Sequence, residues 1–472
     1  MKLLSRKDWA NDVKQAVNAF IIDNYNNTNL KKDYVVFDFD NTCSVFDCEE
    51  TTLKYQLLVM AFPNAPIKMK DLLTSNISNI EKTYYSNKYG EIKILDWIDD
   101  ICNAFDILNN KYGPFGVTGL SKSKQKIVHK DIYWKEFVCK IWCLYEILSE
   151  VIDNKEAYIW LICWFSNFAE KELYELSYKA YKANSKINTK EEVYTTSDQI
   201  KSHVGVVSCR FIYGISVSKN IQELMSCLTK ANIDIYICSA SINMVIKAAV
   251  DYFKLDSYVS GIIAMALKLE NGRYINEYDL TNNGFLVKEN NEFIKKKVNS
   301  NAVTQASGKV KAINEILYKK YNKGPIAGFM DATGDFNFAS EYKDMKLVIC
   351  FNSGKKSIRE GGGLISTLAI YQKEALKYTY KKAIKNNDTF YVLQGRNENK
   401  KRKLINSNSS LVYNSNRYRL FLNNESYKLL NIFIENNYSS KEIINKFSIK
   451  GYDEKAKLYY GFLEHYDGYH SK

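Results

Sequence analysis

The chain has 472 residues, a formal charge of +13, 46% hydrophobic residues and 14% aromatic residues. That length exceeds one typical core and predicts about two or three domains, while the apolar content excludes a disordered chain. Only four prolines occur among abundant Tyr, Asn, Lys and Ile, the usage of an AT-rich genome, so the lysine excess carries little functional weight.

Trp9, Val13, Ala16, Val17, Phe20 and Ile21 recur at helical spacing and predict a helix within residues 1–32, followed by a polar linker. Residues 1–8 hold no apolar core of signal-peptide length, and no run approaches the roughly 20 apolar residues of a spanning helix. A soluble cytoplasmic chain without a membrane partner is expected. The apolar run Val35-Val36-Phe37 then predicts a buried strand ending in Asp38, with Asp40 and Thr42 completing a D-x-D-x-T pattern.

Residues 48–205 read as a helical insertion. Trp134, Phe137, Val138, Ile141, Trp142, Tyr145 and Leu148 fall on one helical face. A further helix is expected to open at Asn167, with Glu170 as its capping-box partner, and to run through Tyr181. The core is expected to resume with a strand over 204–211, a helix over 221–228 and a strand over 233–238 that ends in Ser239-Ala240-Ser241. Residues 261–274 read as strand, tight turn and strand. Ser307-Gly308-Lys309 heads a helical pattern, and Ile326 to Met330 predicts a strand running into Asp331, with Asp335 four residues on. Residues 346–351 read as the last strand of a parallel sheet. Gly361-Gly362-Gly363 lacks a following Gly-Lys-Ser or Gly-Lys-Thr and reads as a turn opening a helix, not a phosphate loop.

From residue 388 an Asn-, Ser- and Lys-rich extension contains one strand-like run, 389–393. Two short helices follow near 425–435 and 441–447, the second capped by Ser439 and Glu442. This pair is expected to pack on the core rather than act as a helix-turn-helix. The basic runs 295–297 and 400–403 read as solvated loops, so nucleic acid is not an expected partner. The ten cysteines include no C-x-x-C pair and read as reduced thiols. His129, His203, His465 and His470 have no zinc-ligand spacing.

The strand-end residues carry chemistry. A strand that stops at Asp38 brings a carboxylate to the carboxyl edge of a sheet, where open α/β folds place ligands. Asp38 is the candidate nucleophile and would take up a phosphoryl group as an aspartyl-phosphate. Asp40 is the candidate acid and base, protonating the leaving oxygen and later activating water. Ser239, with Ala240 beside it, is assigned to phosphate binding, although Ser239 could equally cap the helix beginning near Met244. Lys309 would neutralise the phosphoryl group and the nucleophile. Asp331 would complete an oxygen site for Mg²⁺ with Asp38 and the Asp40 carbonyl, and Asp335 would support it.

In order and spacing, D-x-D-x-T, strand-Ser, Gly-Lys and D-x-x-x-D resemble the haloacid-dehalogenase superfamily of phosphohydrolases, over about residues 33–47 and 206–353. Ser239-Ala240-Ser241 and Gly308-Lys309 are most similar to its phosphoserine-phosphatase-like branch. The stretch DFDNTCSVFDCEE from Asp38 to Glu50 looks like that of phosphorylcholine phosphatases. Met330 and Ile242 depart from the pattern, which usually has Gly and often Pro there. The resemblance implies an α/β, Rossmann-like parallel sheet with a helical cap inserted after the first catalytic strand, divided as 1–47, 48–205, 206–387 and a 388–472 extension. It implies a Mg²⁺-dependent phosphomonoesterase acting on a small phosphorylated metabolite such as phosphocholine or phosphoserine. Within the insertion, Glu50, Trp160 and Trp164 are the candidates for a cationic head group. The ordinary readings are an exposed first helical turn for Glu49 and Glu50 and insertion core for the tryptophans. Phosphotransfer to another acceptor and a non-catalytic nucleic-acid- or partner-binding protein on a retired fold of this kind stay open as alternatives.

Overall fold

The computed structural model describes residues 1–25, 32–279, 284–298, 303–354, 361–399, 403–420, 424–448, 451–455 and 457–460. The expected first helix, α1 (Asn11–Tyr25), buries Val13, Ala16, Val17, Phe20 and Ile21. Eight strands then build one sheet: β1 (Asp33–Phe37), β2 (Ile233–Ile242), β3 (Gly261–Met265), β4 (Leu286–Glu289), β5 (Glu292–Lys295), β6 (Ala327–Met330), β7 (Leu347–Phe351) and β8 (Phe390–Gln394). Their order is β5-β4-β3-β2-β1-β6-β7-β8. Every neighbouring pair from β3 to β8 is parallel, and β4 and β5 add an antiparallel hairpin at one edge. The expected α/β architecture around a mostly parallel sheet is therefore present.

The strands are continuous apolar runs because both faces are covered. Val35 and Phe37 enter one buried cluster, Tyr34 and Val36 the other. Phe37 faces Ile237 on β2 and Phe329 on β6, and the Phe37 and Phe329 rings stack at 3.8 Å. The chain moves outward from β1 to β2 and β3, then returns to the other side of β1 with β6, β7 and β8. The β1–β6 border is thus the point where strand order reverses, and a crevice opens there at the carboxyl edge.

The insertion carries α2 (Cys48–Val59), α3 (Ile94–Tyr112), α4 (Ile132–Val151) and α5 (Glu170–Asn184). α4 buries the expected stripe, including Trp134, Phe137, Ile141, Trp142 and Leu148. Lys140 is buried in α4, where it pairs with Asp100 on α3 at 2.8 Å and with Glu136. Asp100 also accepts the His203 and Val204 N–H groups at 3.0 Å, tying that loop to the insertion.

Several expected boundaries shift. α5 starts at Glu170 instead of Asn167: Asn167 is left-handed at φ 69°, and the Glu172 carboxylate accepts the Ala169 N–H at 2.9 Å. The strand expected to resume the core is Ser208–Tyr213, and it pairs antiparallel with Lys190–Thr195 as a separate ribbon. Alternating exposed and buried side chains suit a ribbon with one wet face, not the interior of a parallel sheet. Residues 346–351 do not end the sheet. The strand-like run assigned to the extension is β8, which pairs in parallel with β7 and has all five residues buried.

Two central helices flank the crevice: α6 (Asn243–Tyr252) follows β2, and α7 (Ser307–Ile313) carries Lys309. Next, α8 (Gly361–Glu374) opens at the triple glycine and packs on β8. The expected pair follows as α9 (Asn424–Asn436) and α10 (Ser440–Phe447), the latter with the Ser439–Glu442 capping box. Leu429, Phe433, Ile443 and Phe447 are buried with Leu364, Leu368 and Tyr371 of α8, so the pair packs on the core as expected. Lys295, Lys296 and Lys297 are described; Lys400, Lys401 and Arg402 lie outside the described residues. Among the described residues no helix is long and apolar enough to cross a membrane.

Candidate active site

Asp38 stands one residue past β1, where its N–H donates to the Phe329 carbonyl at 2.9 Å and fixes it beside β6. Lys309 reaches over from α7, its Nζ 2.8 Å from Asp38 Oδ1 and 2.6 Å from Asp335 Oδ1. That approach needs glycine at 308, because a Cβ there would stand 1.8 Å from the Val303 carbonyl oxygen. Ala306, just before α7, holds φ 48°, a strained backbone at the head of the lysine-bearing helix. Asp331 follows β6 directly. Carboxylate oxygens of Asp38, Asp331 and Asp335 lie within 4.8 Å of one another, and all three residues are buried.

Asp40 faces the same cavity but is held differently. Its Oδ1 accepts the Cys48 N–H at the start of α2, and its Oδ2 accepts the Ser241 hydroxyl, both at 2.7 Å. Burial, reinforced by Asp38, pushes its pKa up to about 6. Burial likewise lifts Asp335 to about 7, with Asp38 adding to it and Lys309 opposing. Burial alone would lower the Lys309 pKa, but Asp335 and Asp38 override it and hold the amine well above its ordinary value. The lysine therefore stays charged between the carboxyl groups of Asp38 and Asp335.

Asp38, Asp40, Ser239, Ala240, Lys309, Asp331 and Asp335 all line one cavity of about 310 Å³. Ser239 is not a helix cap: β2 continues to Ile242, which precedes α6, and the Ser239 hydroxyl accepts the Ser241 N–H at 3.1 Å. Glu50 lines the cavity too, but its Oε2 is already paired with Lys54 Nζ at 2.8 Å. Trp160 and Trp164 are absent from the lining. They pack edge to face at 5.3 Å in the core of the insertion, with Trp160 Nε1 donating to the Leu73 carbonyl. This corrects their assignment to substrate binding, because aromatics at helical spacing here filled the interior. The rings that reach the cavity are Phe46, Tyr145 and Tyr158.

Glu49 is likewise not an exposed helix-start residue. It is 3% exposed, and its Oε1 accepts the Ile242 N–H at 2.9 Å, bridging α2 to the end of β2. Burial drives its pKa to about 8. Asp47 caps α2 by accepting the Glu50 N–H at 2.8 Å. Sequence reasoning passed over Ser241, the Cys48 N–H and Lys54. Only Lys54 left a local signal, as the residue four positions after Glu50 on one helix.

No family model matches this chain, and no curated protein matches it. Among solved structures, it is similar to a conserved functionally unknown protein from Anaerococcus prevotii DSM 20548. The identity is 24% and the TM-score 0.68, covering 88% of this chain and all of that one. The two share a fold. A phospho-aspartyl intermediate analogue of phosphoserine phosphatase aligns at 10% identity over 68% of this chain and 87% of its own, with a TM-score of 0.28. Cytosolic 5'-nucleotidase IIIB bound to cytidine aligns at 12% identity over 74% and 82%, also at 0.28. Superpositions this loose carry no argument about the chemistry, which stands on the cavity.

Proposed function

We propose that the chain is a phosphomonoester hydrolase of the haloacid-dehalogenase kind, working through an aspartyl-phosphate on Asp38, with residues 48–205 as its cap. The observation that carries this reading is the convergence of Asp38, Asp40, Lys309 and Asp331, from three separate stretches of chain, on one small buried cavity. A hard divalent cation fits the donor set, since three buried carboxylates cluster there and Lys309 pairs with two of them. Asp38, Asp331 and the Asp40 carbonyl would hold Mg²⁺, with Asp335 behind them. Bound Mg²⁺ would supply positive charge against the phosphoryl oxygens.

The residues divide the work. An Asp38 oxygen attacks phosphorus as the bond to the leaving oxygen breaks, and Asp40 gives that oxygen its proton. Asp40 then takes a proton from water, whose oxygen attacks the aspartyl-phosphate and restores Asp38. Lys309 balances the charge gathering on the transferred group, and Ser239 offers it a hydroxyl. The organic part of the substrate would meet Phe46, Glu50, Lys54, Tyr145 and Tyr158. A small polar metabolite suits that wall, and the Glu50–Lys54 pair argues against Glu50 as a dedicated site for a quaternary ammonium.

A panel of phosphate esters assayed with Mg²⁺ tests the reading. Wild type should hydrolyse at least one small ester, and Asp38→Asn should abolish that turnover while the protein stays folded. Retention of activity within about tenfold of wild type would rule out the covalent mechanism.

A further inference from the structure

The C-terminal extension reaches the nucleophile loop through one buried side chain. Arg396 lies two residues past β8 and is 2% exposed. Its guanidinium grips Asn41 twice, Nη1 donating to the backbone carbonyl and Nη2 to Oδ1 at 3.1 Å. On its other side Nε donates to Glu398 Oε1 at 2.7 Å. Glu398 is itself buried and anchored, accepting the Tyr413 N–H at 3.0 Å and, through its carbonyl, the Thr189 hydroxyl at 2.6 Å. Gly395 lets the extension close over this strand end, since a Cβ there would stand 2.1 Å from the Ser409 carbonyl oxygen.

The gripped residue is the one that turns the loop. Asn41 follows Asp40, lines the same cavity and holds a left-handed φ of 61°. Beyond it the chain folds back through the Cys43 and Ser44 N–H groups, which donate to the Phe39 carbonyl at 2.9 and 3.0 Å. Asp38 is fixed by the sheet, but Asp40 has left the sheet, and its position depends on this turn. A planar fork fits two oxygens of one residue, whereas an ammonium is a point donor. Glu398 pairs with the guanidinium and balances its buried charge.

We propose that Arg396 is a positioning residue for the loop carrying Asp38 and Asp40, so that the extension completes the catalytic site, a role in turnover that rests on the phosphatase reading above. The experiment compares the full-length wild type with Arg396→Lys and with the double replacement Arg396→Met/Glu398→Met, which removes both buried charges together. Hydrogen exchange is followed in peptides covering 38–45 and 390–394, alongside kcat and KM for the best ester of the panel and the melting temperature.

Both variants should raise exchange in 38–45 by about tenfold or more while 390–394 keeps its protection. Their kcat should fall by about 10- to 100-fold with KM nearly unchanged, the cost of a misplaced catalytic group. Wild-type exchange in 38–45 in a folded variant would overturn the proposal. So would equal loosening of both peptides, which would make Arg396 a stability residue only. Should Arg396→Lys fail to fold, the charge-free double variant decides on the same criteria. If wild type hydrolyses no ester, the phosphatase reading falls, and the exchange data alone still decide whether Arg396 holds the loop.

Discussion

Asp40 shows how one side chain is prepared by its surroundings. Both its oxygens accept hydrogen bonds, from the Cys48 N–H and the Ser241 hydroxyl, which orient it, while burial and Asp38 keep its proton bound to a higher pH than an exposed aspartate would. A general acid matters most when the leaving oxygen is a poor one. Asp40→Asn should therefore lower kcat about 10²- to 10⁴-fold for an alkyl phosphate and much less for p-nitrophenyl phosphate. Equal losses on both would assign Asp40 a different role. Glu49 gives a second residue-level expectation, in stability. Its carboxyl binds a proton up to about pH 8 in the fold, against an ordinary 4.5. With the folded pKa raised, this group's contribution is fully present below about pH 4.5 and is lost as pH rises through about 8. Glu49→Gln keeps the acceptor for Ile242 and has no charge to bury. In metal-free buffer its melting temperature should gain on wild type steadily from about pH 4.5 to about pH 8, the window between the ordinary and the raised values. A constant difference across that range would contradict the buried, proton-holding Glu49.

At the level of elements, the strands that deliver residues to the cavity were legible because each is a short apolar run followed by an Asp or Ser. Periodicity also located α4, α9 and α10. The position of β8 was not legible. Its apolar run stands alone in a polar stretch, and only its pairing with β7 and cover by α8 place it in the sheet. The ribbon strand Ser208–Tyr213 misled in the opposite sense, because strand propensity does not name a partner. A direct consequence concerns the extension. A chain ending at residue 387 would lack β8, leaving the β7 edge unpaired and the inner face of α8 uncovered. Such a chain should be insoluble or lack fixed tertiary structure. A soluble 1–387 protein with native near-ultraviolet circular dichroism would show that β8 is dispensable.

For the whole molecule, the clustered carboxylates are a cost of folding that a cation would relieve. Mg²⁺ binding to the folded chain alone should raise its melting temperature with increasing concentration, by mass action. Asp331→Asn removes one of the three clustered carboxylates and should abolish most of that shift while leaving the metal-free melting point equal or higher. An unchanged shift in Asp331→Asn would place the cation elsewhere. The +13 formal charge would add a mild field that favours anionic esters and weakens as salt rises.

The sequence by itself determined which residues could do the chemistry and in what order they would meet. Strand-end placement follows from local apolar runs, and a parallel sheet brings such ends to one edge. Tertiary structure alone decided what surrounds them. Asp40 is oriented by Ser241 from 201 positions away in the chain. The Asp40 loop is gripped by Arg396, 355 positions from Asn41. Trp160 and Trp164 are turned into the interior while Tyr145 and Tyr158 face the cavity. Contacts of that range leave no periodicity or spacing in the sequence, because they depend on how whole layers pack and not on what each segment prefers.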